Sequence, residues 1–410
     1  MTALNLSKIR NDFPVLHQQK NGKPIVYLDN ACMSLRPISV FNAIKKYYLE
    51  YSACGGRTIH KLGLLVTEEV EAARVKVQNF INAKQAEECI FTGNTTNGIN
   101  MVSMGIGLSK DDLVISEDYA HNSNLVPWQI LKQRYGITHH LLETGIDALF
   151  TLEALDTVLQ KSDAPKKLVS LCHTSNVTGH TIPAKEIIKV AHENEALVLL
   201  DGAQSVPHQT IDVQELDVDF LAFSIHKMCG PSGVGVLYGK KDLLQTLTPI
   251  IVGGGTVANV TEAGPEFARA PECFEAGLQN YAGIIASGAA IDYLQNLGMK
   301  NVHRHVKTLG KSLFSGLKEL KLPLRILGPQ NPDQRENLVT IEFYNINAHD
   351  IAMLLDEENI FTRSGRHCTH LWHNKHGINA TLRPSVYIYN TKEEIQFFLD
   401  TLEKSVKMFL

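Results

Sequence analysis

The stretch "AFSIHKMCGPSGVGVLYG", residues 222–239, decides how this chain is read. It sets Lys227 between His226 and a turn rich in glycine and proline, with one apolar run (218–223) before it and a second, "GVGVLYG", after it. A lysine that follows a strand ordinarily points into water. Here Ser224, His226 and turn-forming residues hold it close to a strand end, so the rest of the chain has to supply a reason.

Upstream, the short apolar runs "ECIFTG", "LVISED", "KLVSLCH", "ALVLLDG" and "VDFLAFS" alternate with helical segments. One such segment, "PAKEIIKVAHENE", carries Pro183 at its start, where a missing N–H costs nothing. The alternation predicts an α/β fold: a mostly parallel sheet of about seven strands with helices on both faces. The last run follows a turn rather than a helix, so it is expected to be antiparallel. Beyond "VGGGTVAN" (252–259) the character changes to a long helical stretch over 280–321, the alternating "NLVTIEFYN" and a terminal amphipathic helix, "TKEEIQFFLDTLEKSVKMFL". This predicts a smaller α+β domain. The expected division is 1–25 as a segment packing with the small domain, 26–265 as the large domain, and 266–410 as the small domain carrying the Cys368 loop.

Composition removes several function classes. At 410 residues the chain exceeds one ordinary core, and its 44% hydrophobic and 20% charged content is that of a globular protein. A net charge of −4 without a basic stripe argues against nucleic acid. The opening "MTALNLSKIRNDFPVL" lacks a basic segment followed by an apolar one, so no leader is read. No apolar stretch approaches the roughly 20 residues of a membrane helix, and "YAGIIASGAAIDYL" carries Asp292 and reads as a packed helix. Seven cysteines without a CxxC pair point to reduced thiols in a cytoplasmic compartment.

In a wound sheet, ligands lie beyond the C-terminal ends of the strands. The residues just after the apolar runs are Thr95 and Thr96, His121, His173 and Asn176, Asp201 and Gln204, then Ser224, His226 and Lys227. Thr95, Thr96 and Ser224 can cradle an anion at a helix start, although the two threonines taken alone would simply cap that helix. Neither GxGxxG nor GxxxxGK[ST] is present, which excludes the usual dinucleotide and P-loop fingerprints. Asp201 ends a run expected to be buried, and a buried carboxylate needs a cation or donors. Lys227 can condense with an aldehyde. An anion cradle, a buried acid and a late lysine on one sheet edge together suggest pyridoxal 5′-phosphate.

The motifs "YLDNA", "TTNGIN", "NLVPWQ", "HTSNVTG", "DGAQS", "FSIHKMCGPSGVGVLYG", "FEAG", "RSGRHC" and "YNTKEEI" resemble class V, fold-type I pyridoxal-phosphate enzymes, most of all Suf-type cysteine desulfurases and selenocysteine lyases. The likeness runs from about residue 10 to 405. It implies that Lys227 holds the cofactor aldehyde covalently, Asp201 pairs with the ring nitrogen, Gln204 reaches the ring hydroxyl and His121 stacks on the ring. It further implies that Thr95, Thr96, Ser224 and His226 hold the phosphate, and that Asn176 helps place substrate or cofactor. Arg363 and Arg383 would grip the substrate carboxylate, and Cys368 would take sulfur from L-cysteine as a persulfide, releasing L-alanine. A homodimer and a sulfur-acceptor protein, for instance in Fe–S cluster assembly, are implied as partners.

Arg366 and His367 flank Cys368 and are expected to favour its thiolate by positive charge. The tract His367, Cys368, His370, His373, His376 lacks the second, distant ligand pair of a structural zinc site. No metal is therefore assigned, and its histidines read as loop and helix-surface residues. Cys32 and Cys54 lie in segments that, by the resemblance, approach the cleft. Four positions depart from the Suf-type pattern: Leu278 in place of a threonine, Gly56 in place of a histidine, Ala120 in place of a glutamate and Pro384 in place of an alanine. Selenocysteine cleavage uses the same residues. A class V aminotransferase, epimerase or C–S lyase would keep Lys227 without using Cys368, and a non-catalytic paralogue would need neither.

Overall fold

The structure is a computed structural model that describes residues 4–20 and 22–410. Residues 1–3 and 21, which belong to the expected 1–25 segment and in part to the stretch read for a leader, lie outside it.

Seven strands form the central sheet: β1 (Cys89–Thr92), β2 (Leu113–Glu117), β3 (Thr138–Leu142), β4 (Lys167–Cys172), β5 (Ala196–Asp201), β6 (Phe220–Ser224) and β7 (Gly235–Gly239). Their order is β1-β7-β6-β5-β4-β2-β3. Strands β3, β2, β4, β5 and β6 pair in parallel. The last strand, β7, runs antiparallel to both β6 and β1, as the turn before it predicts. Six of the seven strands coincide with the apolar runs. The seventh, β3, reads "THHLL" and was not among them: it lies at the sheet edge, half exposed, and an edge strand needs no continuous apolar run.

Alternate residues of each strand feed two cores. Phe91, Ile115, Val169, Val198 and Phe223 pack on one face, against Val66, Val70 and Val77 of helix Lys61–Ile81, Ile187 of Ala184–Glu193, and Ile284 and Ile291 of Tyr281–Leu297. Ile90, Val114, Leu168, Leu199 and Ala222 pack on the other, against Ile99 and Val102 of helix Thr95–Gly105 and the fully buried Trp128 of Val126–Tyr135. Each large side chain so buried contributes about 1.5–3 kcal/mol.

A separate core surrounds a four-stranded antiparallel sheet in the order β8 (Leu324–Leu327), β9 (Thr340–Phe343), β11 (Thr381–Arg383), β10 (Arg363–Gly365). Helices Ala348–Glu357 and Lys392–Lys407 and the second half of Met299–Glu319 close it. A capping box of Thr391 and Glu394 starts the terminal helix. The helical stretch expected over 280–321 is two helices, because Gly298, at φ 80°, breaks it between Leu297 and Met299. The N-terminal segment joins the core on the large sheet's first face through Ile9, Phe13 and Leu16 and reaches the terminal helix through Arg10. Phe13 stacks edge-on with Tyr293 and packs against Tyr389, while Arg10 bonds Glu394 at 2.6 Å. Val26–Tyr27 then pairs in parallel with Ile360–Phe361. Among the described residues no helix is long and apolar enough to cross a membrane, and all seven cysteines are unpaired.

Candidate active site

Strand register aligns the C-terminal ends. Cys172 sits opposite Asp201, Asp201 opposite Ala222, Ser224 opposite Gly235 and Gly235 opposite Thr92. The crevice beyond them encloses about 310 Å³. Thr95, Thr96, His121, Asn176, Asp201, Gln204, Ser224, His226, Lys227, Arg363, Cys368 and Arg383 all line it, so the structure brings together every residue to which the resemblance assigns a role. His173 is buried and does not line it.

The turn carrying Lys227 is a short 3-10 segment, Ile225–Lys227, fixed from outside the strand. Ser34 donates its N–H to the His226 carbonyl and accepts the Cys229 N–H at 2.8 Å. Arg36 bonds the Gly230 carbonyl at 3.0 Å. A side chain at position 230 would meet Ile225 Cγ2 at 2.1 Å, so glycine is required for the chain to fold back. Lys227 thus stands partly open to the cavity on a rigid base. Burial holds its amine below the usual lysine range, and Asp201 works against that shift. Asp201 is 5% exposed, and its Oδ1 accepts the Ala203 N–H at 3.0 Å. Burial pushes its carboxyl above the usual range, opposed by that bond and by Lys227. Gln204 donates to the Ala31 carbonyl and leaves its buried Oε1 without a partner.

At the neighbouring strand end, Ser224 Oγ accepts the Thr95 N–H at 2.8 Å and lies 2.6 Å from the Thr95 hydroxyl. Asn94 caps the helix by accepting the Asn97 N–H. A Cβ on Gly235 would stand 2.5 Å from Asn94 Cα, so only glycine lets strand β7 approach this cradle. Thr96 pairs with Ser123 at 2.7 Å. Burial, then Lys227 and Arg36, lowers His226 to about 4. Burial, then Lys227, Arg383 and His370, lowers His121 to about 3, leaving a neutral ring whose Nδ1 accepts the Ser123 N–H.

The opposite wall comes from the smaller core. Arg363 and Arg383 face each other across β10 and β11. Arg383 is buried and donates to the Asn176 carbonyl at 2.9 Å, with its Nε unpartnered, whereas the Arg363 side chain is 54% exposed. Asp29 lies near both guanidiniums, at 3.7 and 3.8 Å. Cys368 is exposed, and both it and His367 take the left-handed backbone conformation, φ 57° and 49°. Hydrogen bonds from Asn122 N–H to the Cys368 carbonyl, 2.7 Å, and from the Asn176 amide to the His367 carbonyl, 2.6 Å, hold that strained bend.

Two readings of this loop need correction. His367 does not place a positive charge beside Cys368: it is buried, its Nε2 is 2.8 Å from Thr381 Oγ1, and burial and Arg383 push its protonation well down. Arg366 turns away to bond Asn379 and Asn374. His373 is not a helix-surface residue either, being fully buried against Thr369. Among the described residues no cluster of three or more metal-ligating side chains occurs. Cys32 lines the cavity, whereas Cys54 lies on the surface outside it. Of the departing positions, Leu278 is 75% exposed and Ala120 is buried.

Residue-level reasoning missed Asp29, Asn94, Ser34, Ser123 and Cys172. The motif "YLDNA" contained the signal for Asp29, because an acid at an apolar run's end calls for a cation. Ser34 acts from a segment nearly 200 residues away, which spacing does not reveal.

A doubly wound sheet with an anion cradle, a buried acid and a partly desolvated lysine at its strand ends is the framework of a fold-type I enzyme. The class-V aminotransferase family matches residues 26–398, and the chain belongs to that family. A probable cysteine desulfurase of Halalkalibacterium halodurans is 40% identical over 409 residues, covering 99% of each chain. Another from Synechocystis is 39% identical over 418 residues, covering 100% of this chain and 98% of its own. A cysteine desulfurase structure from Thermococcus onnurineus NA1 superposes with a TM-score of 0.93 at 34% identity, covering 100% of both chains. That of the Escherichia coli cysteine desulfurase CsdA gives 0.88 at 30%, covering 99% of this chain and 100% of the other.

Proposed function

We propose that this chain is a pyridoxal 5′-phosphate-dependent cysteine desulfurase that converts L-cysteine to L-alanine and carries the sulfur as a persulfide on Cys368. The observation that supports this most directly is one cavity of about 310 Å³ lined by Lys227 and Asp201 from the large sheet and by Cys368, Arg363 and Arg383 from the small one. The large unit, 26–265, would bind the cofactor, and the unit 266–410 would bring the thiol.

The residues fit the cofactor. Asp201 has no cation bonded to it, an environment that a protonated ring nitrogen completes. Gln204 keeps a buried, unpartnered amide oxygen beside the cavity, and the close approach permitted by Gly235 leaves an anion cradle at the start of helix Thr95–Gly105. Thr95, Thr96, Ser224 and His226 would hold the phosphate, and Lys227 would anchor the aldehyde. When bound, the cofactor supplies an electron sink for negative charge at the substrate α-carbon.

The chain's own groups do the rest. Arg383 offers its free Nε–H, and Arg363 its exposed fork, to a substrate carboxylate. Lys227 Nζ, its basicity reduced by burial, takes the α-proton and later returns a proton to the product. His121, neutral by burial, lines the same cavity and would stack on the ring without adding charge. Cys368 Sγ attacks the substrate sulfur: an S–S bond forms as the Cβ–S bond breaks, and the electron pair stays on the carbon fragment, which is protonated to alanine. Selenocysteine would engage the same groups.

A homodimer is part of this reading, supported by the exposed apolar side chains of Tyr48, Leu49, Ile59, Leu62, Ile251 and Leu278. Exposed Cys368 suits transfer to a sulfur-acceptor protein, and seven free thiols suit a reducing cytoplasm. Incubation with L-cysteine, with and without a thiol reductant, tests the function. Alanine should form in proportion to sulfide, and without reductant a persulfide should map to Cys368. Sulfide formation that persists unchanged in Cys368→Ala, with pyruvate rather than alanine as its co-product, would overturn it in favour of a C–S lyase.

A further inference from the structure

Glu117 ends strand β2, is 0% exposed, and has no part in the mechanism above. Its Oε1 accepts the Cys172 N–H at 2.8 Å, and its Oε2 is buried without a hydrogen-bond partner. Cys172 lines the cavity, and its Sγ lies 4.0 Å from Asp201 Oδ2. Cys172 therefore links two buried acids, meeting Asp201 through its thiol and Glu117 through its backbone N–H.

We propose that Glu117 is a positioning residue for the cofactor end of the site: it fixes Cys172 against Asp201 and, in its uncharged form, leaves Asp201 the single negative charge there. The inference rests on the reading that a cationic ring nitrogen meets Asp201. A carboxylate so buried would need a cation or strong donors, and among the described residues no cation pairs with Glu117, whose donors are the Cys172 N–H, its own backbone and the weakly donating Cys172 thiol. The titratable groups around it are Cys172, Asp201 and Tyr119, and none of them carries a positive charge. Burial is the main cause that lifts its pKa to about 7, and the negative charge of Asp201 adds to the lift. A neutral Glu117 thus accepts the Cys172 N–H without setting a second charge against the acid that receives the ring. Ionised, it would compete with Asp201 for the same cation.

The first test uses cofactor-free protein. Infrared spectra of wild type minus Glu117→Gln should contain a protonated-carboxyl band at pH 5.5 that disappears by pH 8.5. A difference spectrum showing only carboxylate at pH 5.5 would overturn the proposal. Should Glu117→Gln fail to fold, the same titration in Asp201→Asn, where Glu117 is the remaining buried acid of the pair, decides it by the presence or absence of the band. The second test uses loaded protein. Visible absorbance of the bound cofactor should change between pH 6 and 8 in the wild type and stay flat in Glu117→Gln, and superimposable titrations would refute the link to Asp201. If the protein binds no cofactor at all, the desulfurase reading falls, while the infrared result still reports the charge of Glu117.

Discussion

Lys227 and Cys368 face one cavity, but the molecule positions them by different means. Lys227 stands on a three-residue turn at the end of a buried strand in a seven-stranded sheet, braced by Ser34 and Arg36, with its basicity lowered by burial. Cys368 lies on an exposed bend with two successive residues at positive φ, held by hydrogen bonds from Asn122 and Asn176 of the large unit. Floor groups gain their chemistry from desolvation. The rim thiol stays in water, where a large partner can reach it, and gains its placement from backbone bonds. A site that must shield a proton transfer and still export its product needs both kinds of construction.

The largest effect should come from the floor. Lys227→Ala removes both the cofactor anchor and the proton carrier, and alanine production should fall by about 10³-fold or more. Borohydride treatment followed by peptide mapping should find the cofactor on Lys227 in the wild type only. A label on another lysine would break the assignment of the floor. At the rim, Cys368→Ser should lower alanine formation by about 10²-fold or more. It should leave the melting temperature unchanged, because the residue is exposed and its backbone bonds remain. A variant that keeps its activity would make the thiol a bystander.

The two arginines sharpen the contrast within one ligand. Buried Arg383 should outweigh half-exposed Arg363, since hydrogen bonds to charged groups are worth about 1.5–3 kcal/mol when protected and far less when screened. Arg383→Lys should raise KM for cysteine about tenfold or more, and Arg363→Lys only a few-fold. Equal effects would mean that the substrate carboxylate sits nearer the solvent side. Gly235→Ala probes the floor's packing, because its new methyl would meet Asn94 backbone atoms at 2.5 and 2.6 Å. Such overpacking costs about 1–3 kcal/mol, seen as a lower melting temperature together with weaker cofactor binding.

These two constructions also explain what could be read from the chain. The floor was legible because parallel strands are apolar runs and their ends are where ligands bind, so Asp201, Ser224 and Lys227 stood out by position. Strand β3 was not, since an exposed edge carrying His139 and His140 shows no such run. At the rim, Cys368, Arg363 and Arg383 came only from the resemblance, because nothing in a polar loop's composition says which cavity it will overhang. The charge assigned to His367 failed for a related reason. Its burial depends on Thr381 and the surrounding sheet, and local sequence shows neither. Glu117 went unread because a polar residue after an apolar run looks the same whether its neighbour is water or a second acid.

The smallest expected effect per residue concerns pH. Burial lowers His121 and His208 to about 3 and His173 and His226 to about 4, each from an ordinary value of 6.5. All four are neutral in the folded protein near neutral pH, while in the unfolded chain they bind protons below about 6.5. Their contribution to stability is therefore complete above that pH and is lost as pH falls toward 4. At pH 5.5 each histidine removes at most about 1.4 kcal/mol, and the partly open His226 less. Urea midpoints should be level from pH 8 to 7 and should fall steadily from 6.5 to 5, while Cys368→Ser, whose thiol takes no part in this burial, should follow the wild-type curve. Buried Glu117, raised to about 7, acts in the opposite sense, so the comparison is made in Glu117→Gln: a midpoint that rose on acidification there would mean that these rings are charged in the folded state, and the floor of the cavity would then have to be far wetter than its packing describes.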